Sequence, residues 1–432
     1  MSFLDEIQWR GLLHQATAGD DLRRHLSSSR VAYAGFDPTS DSLTIGNFIP
    51  IKLLMHWQRA GHTPIALMGG GTGLIGDPSG RDAERSLMTR DQVMANVASQ
   101  RAIMEKLLDF SPKISHRARM MNNIDWLEGI GYIAMLRDVG KHFSVNEMIQ
   151  RDSVRKRLEE REHGISYTEF SYILLQAYDF LHLRREANCT VQLGGADQYG
   201  NIVGGIDLIR REFHGAGDNQ AFGVTAPLLA RSDGKKMSKS TGGAVWLSTH
   251  TANRTSAYAF YQYWINLPDA DVIAWLKIFT LLSQEEIAAI EVRHAAAPQE
   301  RHAQRELARQ MMAMIHGPTE LQKAEKAASA LFSGEVNELD GAMLEEVFAD
   351  VPNSTHAKAK LEGDGIDLIE LLPETTLAKS KREAREFLSG GAVAINGEKA
   401  APERRLRTSD LLHGRTILLR RGKKHWHATR WE

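Results

Sequence analysis

Four glycine-bearing stretches of this 432-residue chain carry side chains suited to phosphate and ammonium chemistry. The most pointed is DGKKMSKSTGG at 233–243, where lysines alternate with small residues between glycines. Clustered lysines on such a loop can close over a polyphosphate and neutralise charge developing on a leaving group. A solvated charge run is the plainer alternative. The second stretch runs from Gly35-Phe36-Asp37-Pro38-Thr39 to Thr44-Ile45-Gly46-Asn47, from the end of an apolar run into a helical pattern. A helix N-terminus offers free N–H groups and a partial positive charge, which suit phosphate, and Gly46 lets a nucleotide lie against the backbone. A tight turn without a ligand is equally compatible. The third, GGGTGLIGDP at 69–78, contains a formal GxGxxG from Gly71 to Gly76. The dinucleotide fingerprint must open a helix, whereas Asp77-Pro78-Ser79-Gly80 is a turn, so no nicotinamide or flavin site is expected. Asp77 can pair with a ligand ammonium or serve as a turn acid. The fourth, GGADQYGN at 194–201, offers Asp197, whose carboxylate can take both hydroxyls of a ribose or cap a helix.

The elements that must position these residues are legible in the apolar pattern. VAYAGF at 31–36, PIALM at 64–68 and TVQL at 190–193 read as buried strands. NFIPIKLLMHWQRA at 47–60 reads as a helix, with Asn47 as N-cap and Pro50 in the first turn. Helices are also expected over 91–108 and 201–211. Strands alternating with helices imply an α/β fold with a parallel sheet and right-handed crossovers. From about 252 to 330 the period is helical throughout, up to a Gly317-Pro318 stop. Residues 333–365 are richer in turn residues and read as a linker with one short helix. LIELL and KSKREAREFLSGG then read as helices, and AVAING and RTILLRRGKKHWHATRW as strands, of a small α+β module at 366–432.

Composition narrows the class. Hydrophobic residues are 42% and charged residues 25%, which argues against a disordered chain, a coiled coil or a collagen-like fibre. No apolar run reaches the roughly 18 residues of a membrane span, and MSFLDEIQWRGLLHQ lacks the pattern of a signal peptide. Cys189 is the only cysteine, so intramolecular disulfides and thiolate-rich metal sites are excluded and a reducing, cytoplasmic setting is expected. Net charge is −1, but residues 366–432 hold 14 Lys and Arg against 9 Asp and Glu, and 404–432 hold 9 against 2. A basic end on an acidic body fits a polyanion-binding appendage or a solvated tail.

KMSKS at 236–240 is the second signature of the class I aminoacyl-tRNA synthetases, and Thr44–Asn47 stands where their HIGH signature belongs. YAGFDPTSDSLTIGN, GGTGLIGDPSGR, NNIDW at 122–126, GKHFSVNEMI at 140–149, ISYTEFSYILLQAYDF at 165–180 and GGADQYGN occur in order, and together they resemble the bacterial-type tyrosyl-tRNA synthetase family over nearly the whole chain. The basic tail is similar to that family's S4-type RNA-binding domain. The resemblance implies a Rossmann-like catalytic domain at 1–245 with a dimer-interface insertion at about 120–165. It further implies a helical anticodon-binding domain at 246–332, a linker at 333–365 and the S4-like domain at 366–432. It implies a homodimer that acts on L-tyrosine, ATP with Mg2+ and tRNA(Tyr), with no dedicated protein metal site and no membrane. Apolar IGYIAMLRDVGKHFSVNEMIQ at 130–150 is then the interface, although a core helix would read the same way.

Residue by residue, the resemblance gives Tyr33 and Asp179 to the substrate phenol, and Tyr172, Gln176, Asp77 and Asn123 to its ammonium. Gly35 and Asp37 line the tyrosine and adenylate pocket, with Gly46, Asn47 and Gly194 along the adenylate. Gln198 faces the carboxylate or adenylate, and Asp197 takes the ribose. Lys236, Lys239 and Thr39 meet the β- and γ-phosphates, with Thr44 beside them. Tyr172, Gln176 and Asp179, spaced i, i+4 and i+7, share one helix side, which fits a site or an ordinary helix face. Four positions depart from the family pattern: Thr44 and Asn47 replace both HIGH histidines, Tyr199 replaces a tryptophan, and Ile124 replaces a tyrosine. Two other readings remain at this point, an RNA-binding paralogue with weakened catalysis and a tryptophanyl relative.

Overall fold

The computed structural model describes residues 2–77, 87–150, 154–155, 158, 165–214, 220–229, 239–240, 243–349, 351–422 and 425–432. They form two compact units, 1–256 with 263–315, and 257–262 with 316–432.

The first unit is built on a six-stranded sheet. Its strands are β1 (Gln15–Ala16), β2 (Val31–Phe36), β3 (Thr63–Met68), β4 (Arg119–Asn122), β5 (Cys189–Gly195) and β6 (Phe222–Ala226), in the order β1-β6-β5-β2-β3-β4. All neighbours are parallel except the short edge strand β1. The chain runs outward from β2 through β3 to β4, then returns to the other side of β2 with β5. That reversal leaves a crevice beyond the carboxyl ends of β2 and β5, the place where open α/β sheets bind ligands. Near-continuous burial along β3 and β5 is what a sheet covered on both faces requires.

Helix Ile45–Arg59 follows β2. Its N-cap is Thr44, not Asn47 as expected: Asn47 sits at the third helical position and completes a capping box with Thr44. The helix therefore begins three residues earlier than the expected cap at Asn47 allows, and Pro50 falls inside it rather than in its first turn. Proline has no N–H for the Gly46 carbonyl one turn back, so that carbonyl lacks its usual helical donor. The long helix Tyr167–Ala187 is capped by Ser166, and helix Tyr199–Glu212 follows β5. Helices Asp269–Phe279, Gln284–Ala296 and His302–Ile315 belong to this same unit.

An unusual cluster of cations joins two of these helices. Lys52 is fully buried and donates to the carbonyl of Thr280 at 3.1 Å. Arg10, also buried, donates to the carbonyls of Lys277, Thr280 and Leu282 and to Glu6. Together they satisfy the carbonyls at the end of helix Asp269–Phe279. Burial, then the neighbouring Arg10, pushes the Lys52 amine well below the usual lysine range. Between that depressed value and the ordinary one the unfolded chain binds the extra proton, so stability rises with pH across this window. Lys52→Met keeps the length of the side chain, and Arg10 still covers the Thr280 carbonyl. The variant is expected to gain about 1–2 kcal/mol at pH 7, as when buried ionic groups are exchanged for apolar ones of similar volume. The gain should shrink towards pH 10. Urea unfolding at both pH values checks this; a variant less stable than the parent at pH 7 would refute it.

The second unit contains helix Pro318–Ser333 and a five-stranded sheet. After the two-residue strands β7 (Lys239–Ser240) and β8 (Gly243–Ala244) of the first unit, its strands are β9 (Asn353–His356), β10 (Ile366–Asp367), β11 (Val393–Ile395), β12 (Glu398–Lys399), β13 (Arg405–Leu406), β14 (Thr416–Arg421) and β15 (His425–Trp431). The five-stranded sheet has the order β12-β11-β14-β15-β9, and β10 pairs with β13. Residues 333–365 supply the edge strand β9 and helix Gly341–Val347. Val336, Leu339, Leu344, Val347 and Phe348 of this stretch pack with Leu418 and Trp426, so it forms part of a core.

Candidate active site

The crevice beyond β2 and β5 is lined by two phenols, four carboxylates and four carboxamides. Tyr33, on β2, is 1% exposed, and its hydroxyl makes no hydrogen bond among the described residues. Leaving a buried hydroxyl unsatisfied costs about 1–3 kcal/mol. Its ring packs on Phe180, the neighbour of Asp179. Burial, with the charge of Asp179 next, holds the Tyr33 hydroxyl well above the usual phenol range, so it stays a donor.

Asp179 is 2% exposed. Its Oδ2 accepts from Asn123 Nδ2 at 2.9 Å and its Oδ1 from Trp126 Nε1 at 2.8 Å. Burial pushes its carboxyl up to about 7, against the pull of those two hydrogen bonds, and Asp37 adds a smaller push in the same direction. Both bonds are made by donors, so the group they favour is the ionised carboxylate. An unspent phenol hydroxyl and a carboxylate that senses it electrostatically form a site for one more hydroxyl. Tyr33 can donate to such an oxygen, and Asp179 can accept its proton.

A second network lies along the same helix. Tyr172 Oη donates to Asp37 Oδ2 at 3.0 Å, and Thr72 Oγ1 to Asp37 Oδ1 at 2.7 Å. Asn123 Nδ2 reaches Thr72 Oγ1 at 3.0 Å, which ties this network to Asp179. Gln198 Nε2 donates to Asp77 Oδ2 at 2.9 Å and to Asp197 Oδ2 at 3.2 Å. Gln176 Nε2 donates to Gln198 Oε1, and Asn201 Nδ2 donates to the Oε1 atoms of both glutamines. The carboxylates of Asp37, Asp77 and Asp197 thus share one polar wall, suited to an ammonium and a diol.

The glycines explain how the wall closes. Gly69 and Gly70 lie so close to the Asp37 and Asn122 side chains that a Cβ at either would collide with them. The amides of Gly70 and Gly71 donate to the side-chain oxygens of Asn122 and Asn123 at 3.0 and 2.7 Å. The GxGxxG run therefore packs against side chains, and it opens a short 3-10 turn, Thr72–Leu74, rather than a long helix. At Gly35, by contrast, a Cβ would meet nothing within 4 Å. That open space beside β2 is room for a ligand.

Other expected residues sit as follows. Gly46 lies in the first turn of helix Ile45–Arg59, and Gly194 near the end of β5. Thr39 follows Pro38 in the turn after β2, its N–H on the Asp37 carbonyl. Thr44 Oγ1 donates to Asn47 Oδ1 at 2.8 Å, and the same oxygen accepts from the Thr44 N–H. Both side chains are thus engaged in capping the helix. Lys236 lies outside the described residues. Lys239 is placed by its backbone in β7, paired with Ala244 of β8. Among the described residues no group of three or more His, Cys, Asp or Glu is arranged to hold a metal ion.

Sequence reasoning missed Thr72, Trp126 and Asn201. Each lies within a run already singled out by the resemblance: Thr72 in GGTGLIGDPSGR, Trp126 in NNIDW, Asn201 at the end of GGADQYGN. Most of their partners are 25 to 53 positions away, as in Trp126 with Asp179 and Asn201 with Gln176, although Asn201 also reaches Gln198 three positions before it.

Comparison with known proteins agrees with this geometry. The family described as tRNA synthetases class I (W and Y) matches residues 27–333. The Tyrosine--tRNA ligase SYY-like C-terminal domain matches 343–429. The tyrosine--tRNA ligase of Roseiflexus castenholzii is 46% identical over 99% of both chains, and that of Bacillus caldotenax 46% over 100% of both. Among solved structures, a C-terminally truncated mitochondrial tyrosyl-tRNA synthetase of Aspergillus nidulans superposes with a TM-score of 0.67 at 31% identity, covering 77% of this chain and 94% of that one. With the crevice, the buried Tyr33–Asp179 pair and both domain matches in one chain, this protein belongs to the bacterial-type tyrosyl-tRNA synthetase family.

Proposed function

We propose that this chain activates L-tyrosine with ATP, releasing pyrophosphate, and then transfers the tyrosyl group from tyrosyl-adenylate to the 3′ end of tRNA(Tyr). The observation that carries the substrate is the buried, unsatisfied Tyr33 hydroxyl beside Asp179. In the first step the substrate carboxylate, already an anion, attacks the α-phosphorus and the pyrophosphate leaves. Little proton transfer is needed, so positioning and charge stabilisation dominate. This agrees with a wall of fixed donors and acceptors.

In this reading Asp77, Tyr172 and Gln176 hold the ammonium, and Gln198 turns from Asp77 towards the substrate carboxylate or adenylate. Asn123 acts on the phenol side by holding Asp179. Gly35 and Asp37 line the pocket, Asp197 takes the ribose diol, and Gly46, Asn47 and Gly194 flank the adenylate. Thr39 with Lys236 and Lys239 meets the outer phosphates of ATP, which arrives with Mg2+ as part of the substrate. With its hydroxyl committed to the helix cap, Thr44 acts through the helix N-terminus rather than as an imidazole would.

Exposed Tyr132, Ile133, Leu136, Val145 and Ile149 give residues 130–150 an apolar surface. We assign it to a homodimer interface within the insertion at about 120–165. Residues 246–332 are assigned to anticodon binding and the basic 366–432 to tRNA phosphates, whose contacts dominate affinity. A cytoplasmic enzyme fits the single buried Cys189, and no described helix is long and apolar enough to cross a membrane.

Amino-acid-dependent ATP–pyrophosphate exchange tests the reading. Tyrosine is expected to support exchange, and phenylalanine and tryptophan to fail at equal concentration. Exchange with tryptophan alone would assign the chain to the tryptophanyl relatives. Absence of exchange with retained tRNA binding would leave an RNA-binding paralogue.

A further inference from the structure

The Trp126 indole is held at two points of one helix. Its Nε1–H donates to Asp179, and its face stacks on the imidazole of His182, with ring centroids 4.3 Å apart and planes 18° from parallel. Asp179 and His182 are three residues apart on helix Tyr167–Ala187, so they project from neighbouring turns of one side. His182 is half-buried, and among described aromatic rings its next neighbour is Tyr178, at 6.2 Å. We propose that His182 is a positioning residue for tyrosine recognition, clamping the Trp126 ring so that its N–H stays aimed at the carboxylate that reads the substrate phenol. The inference rests on the assignment of Asp179 to that phenol.

The physical reason is economy of donors. Buried Asp179 has two hydrogen bonds, from Asn123 and Trp126. Asn123 is fixed independently, because its side-chain oxygen accepts from the Gly71 amide and its nitrogen also reaches Thr72. Trp126 has no such second polar anchor: beyond its bond to Asp179, its ring is held by apolar packing against the core and by stacking on His182. Offset ring stacking both packs the indole and limits its rotation. The groups that face Asp179 electrostatically are Asp37 and the phenols of Tyr33 and Tyr172. Those that face His182 are Glu186 and Arg185, and burial keeps the imidazole below its ordinary value, hence neutral near pH 7. A neutral flat ring is what the clamp needs, so phenylalanine should serve as well as histidine.

The test compares His182→Ala and His182→Phe with the parent in tyrosine-dependent pyrophosphate exchange. His182→Ala is expected to raise the KM for tyrosine about tenfold, the worth of one hydrogen bond to a charged group. The KM for ATP and kcat should stay within twofold. The acid limb of kcat/KM for tyrosine should move to higher pH, because Asp179 loses a bond that favours its ionised form. His182→Phe should restore both readouts. An unchanged tyrosine KM and acid limb in His182→Ala, or a His182→Phe as impaired as His182→Ala, would overturn the proposal. A merely structural role would instead move both KM values together, and would overturn it too. If Asp179→Asn retains full tyrosine activation, the underlying assignment fails, a result separate from any outcome at His182.

Discussion

Asp179→Asn is expected to lower kcat/KM for tyrosine activation by about 10² to 10³, the cost of breaking a buried charged pairing by removing one partner. The substrate hydroxyl would lose its anionic acceptor, while the Tyr33 hydroxyl could still donate to it. The loss should fall on tyrosine and spare the KM for ATP. The same substitution acts on stability with a sign fixed by burial. Asp179 titrates at about 7 in the fold, above the ordinary 3.8 of an aspartate. Between those values the folded chain holds a proton that the unfolded chain has lost, so wild-type stability falls as pH rises through this window. Above pH 7 the deficit approaches about 4 kcal/mol. An asparagine carries no such penalty, so the stability of the variant relative to wild type should climb between pH 4 and pH 7. Denaturant unfolding at pH 5 and pH 8, beside pyrophosphate exchange, measures both effects. A parent whose kcat/KM for tyrosine shows no acid limb near pH 7, or a variant that activates tyrosine normally, would refute the argument.

That pairing of gain and loss is what a binding site costs the fold that carries it. Tyr33 and Asp179 are both buried, one unsatisfied and one hard to ionise, and neither state serves folding. Hydrogen bonds from Asn123 and Trp126 offset only part of the desolvation of Asp179. A bound tyrosine would supply the missing partner to both residues with one hydroxyl. Substrate is therefore expected to stabilise the protein more than a phenylalanine analogue at equal concentration, through the linkage of binding to folding.

Much of this was readable beforehand because the relevant signals are local. The strands at 31–36, 63–68 and 189–195 announce themselves as apolar runs, and the alternation with helices gives the parallel sheet and its crevice. The signature runs carry the site residues in order, and Tyr172, Gln176 and Asp179 share a helix side by simple periodicity. What was not readable depends on partners distant in sequence. Asn47 reads as an N-cap because a polar residue precedes an apolar periodic run, yet Thr44 takes that position and Asn47 answers it from the third. Here the capping box and the lone cap differ by three residues, within the slack of any pattern argument. Asn123, which the resemblance gives to the ammonium, donates to Asp179 and Thr72, a geometry set by the approach of β4 to helix Tyr167–Ala187. Nothing local marks Lys52 as buried, and only the carbonyls at the end of helix Asp269–Phe279 explain why it is inside. Residues 333–365 read as a linker because turn residues outnumber aromatics, although their few aliphatics are spaced to reach Leu418 and Trp426.

In the second unit the largest single effect is expected at Gly397. The two residues between β11 and β12 are Asn396 and Gly397, both with positive φ, at 48° and 88°. An Asn-Gly pair is the preferred two-residue hairpin loop for that reason. Conformation is only half of the demand, because a Cβ at Gly397 would run into the backbone carbonyl of Gly334. Gly334 cannot yield readily: it is the left-handed cap of helix Pro318–Ser333, and the Arg420 guanidinium lies 3.0 Å from where its own Cβ would stand. Arg420 is in turn held over the Trp426 ring at 4.9 Å. Gly397→Ala must therefore move a helix end or a hairpin, and a loss above about 3 kcal/mol is expected, the class of strain and overpacking combined. Gly414→Ala is the control, with a φ of 74° but open space around it. There only the backbone cost of about 1–2 kcal/mol applies. If the basic 366–432 segment grips tRNA, Gly397→Ala should cut tRNA charging by an order of magnitude or more and leave pyrophosphate exchange within twofold. Gly414→Ala should change both little. Equal loss of exchange and charging in Gly397→Ala would mean that this segment supports the folding of the catalytic unit, and an unaltered melting curve would refute the packing argument itself.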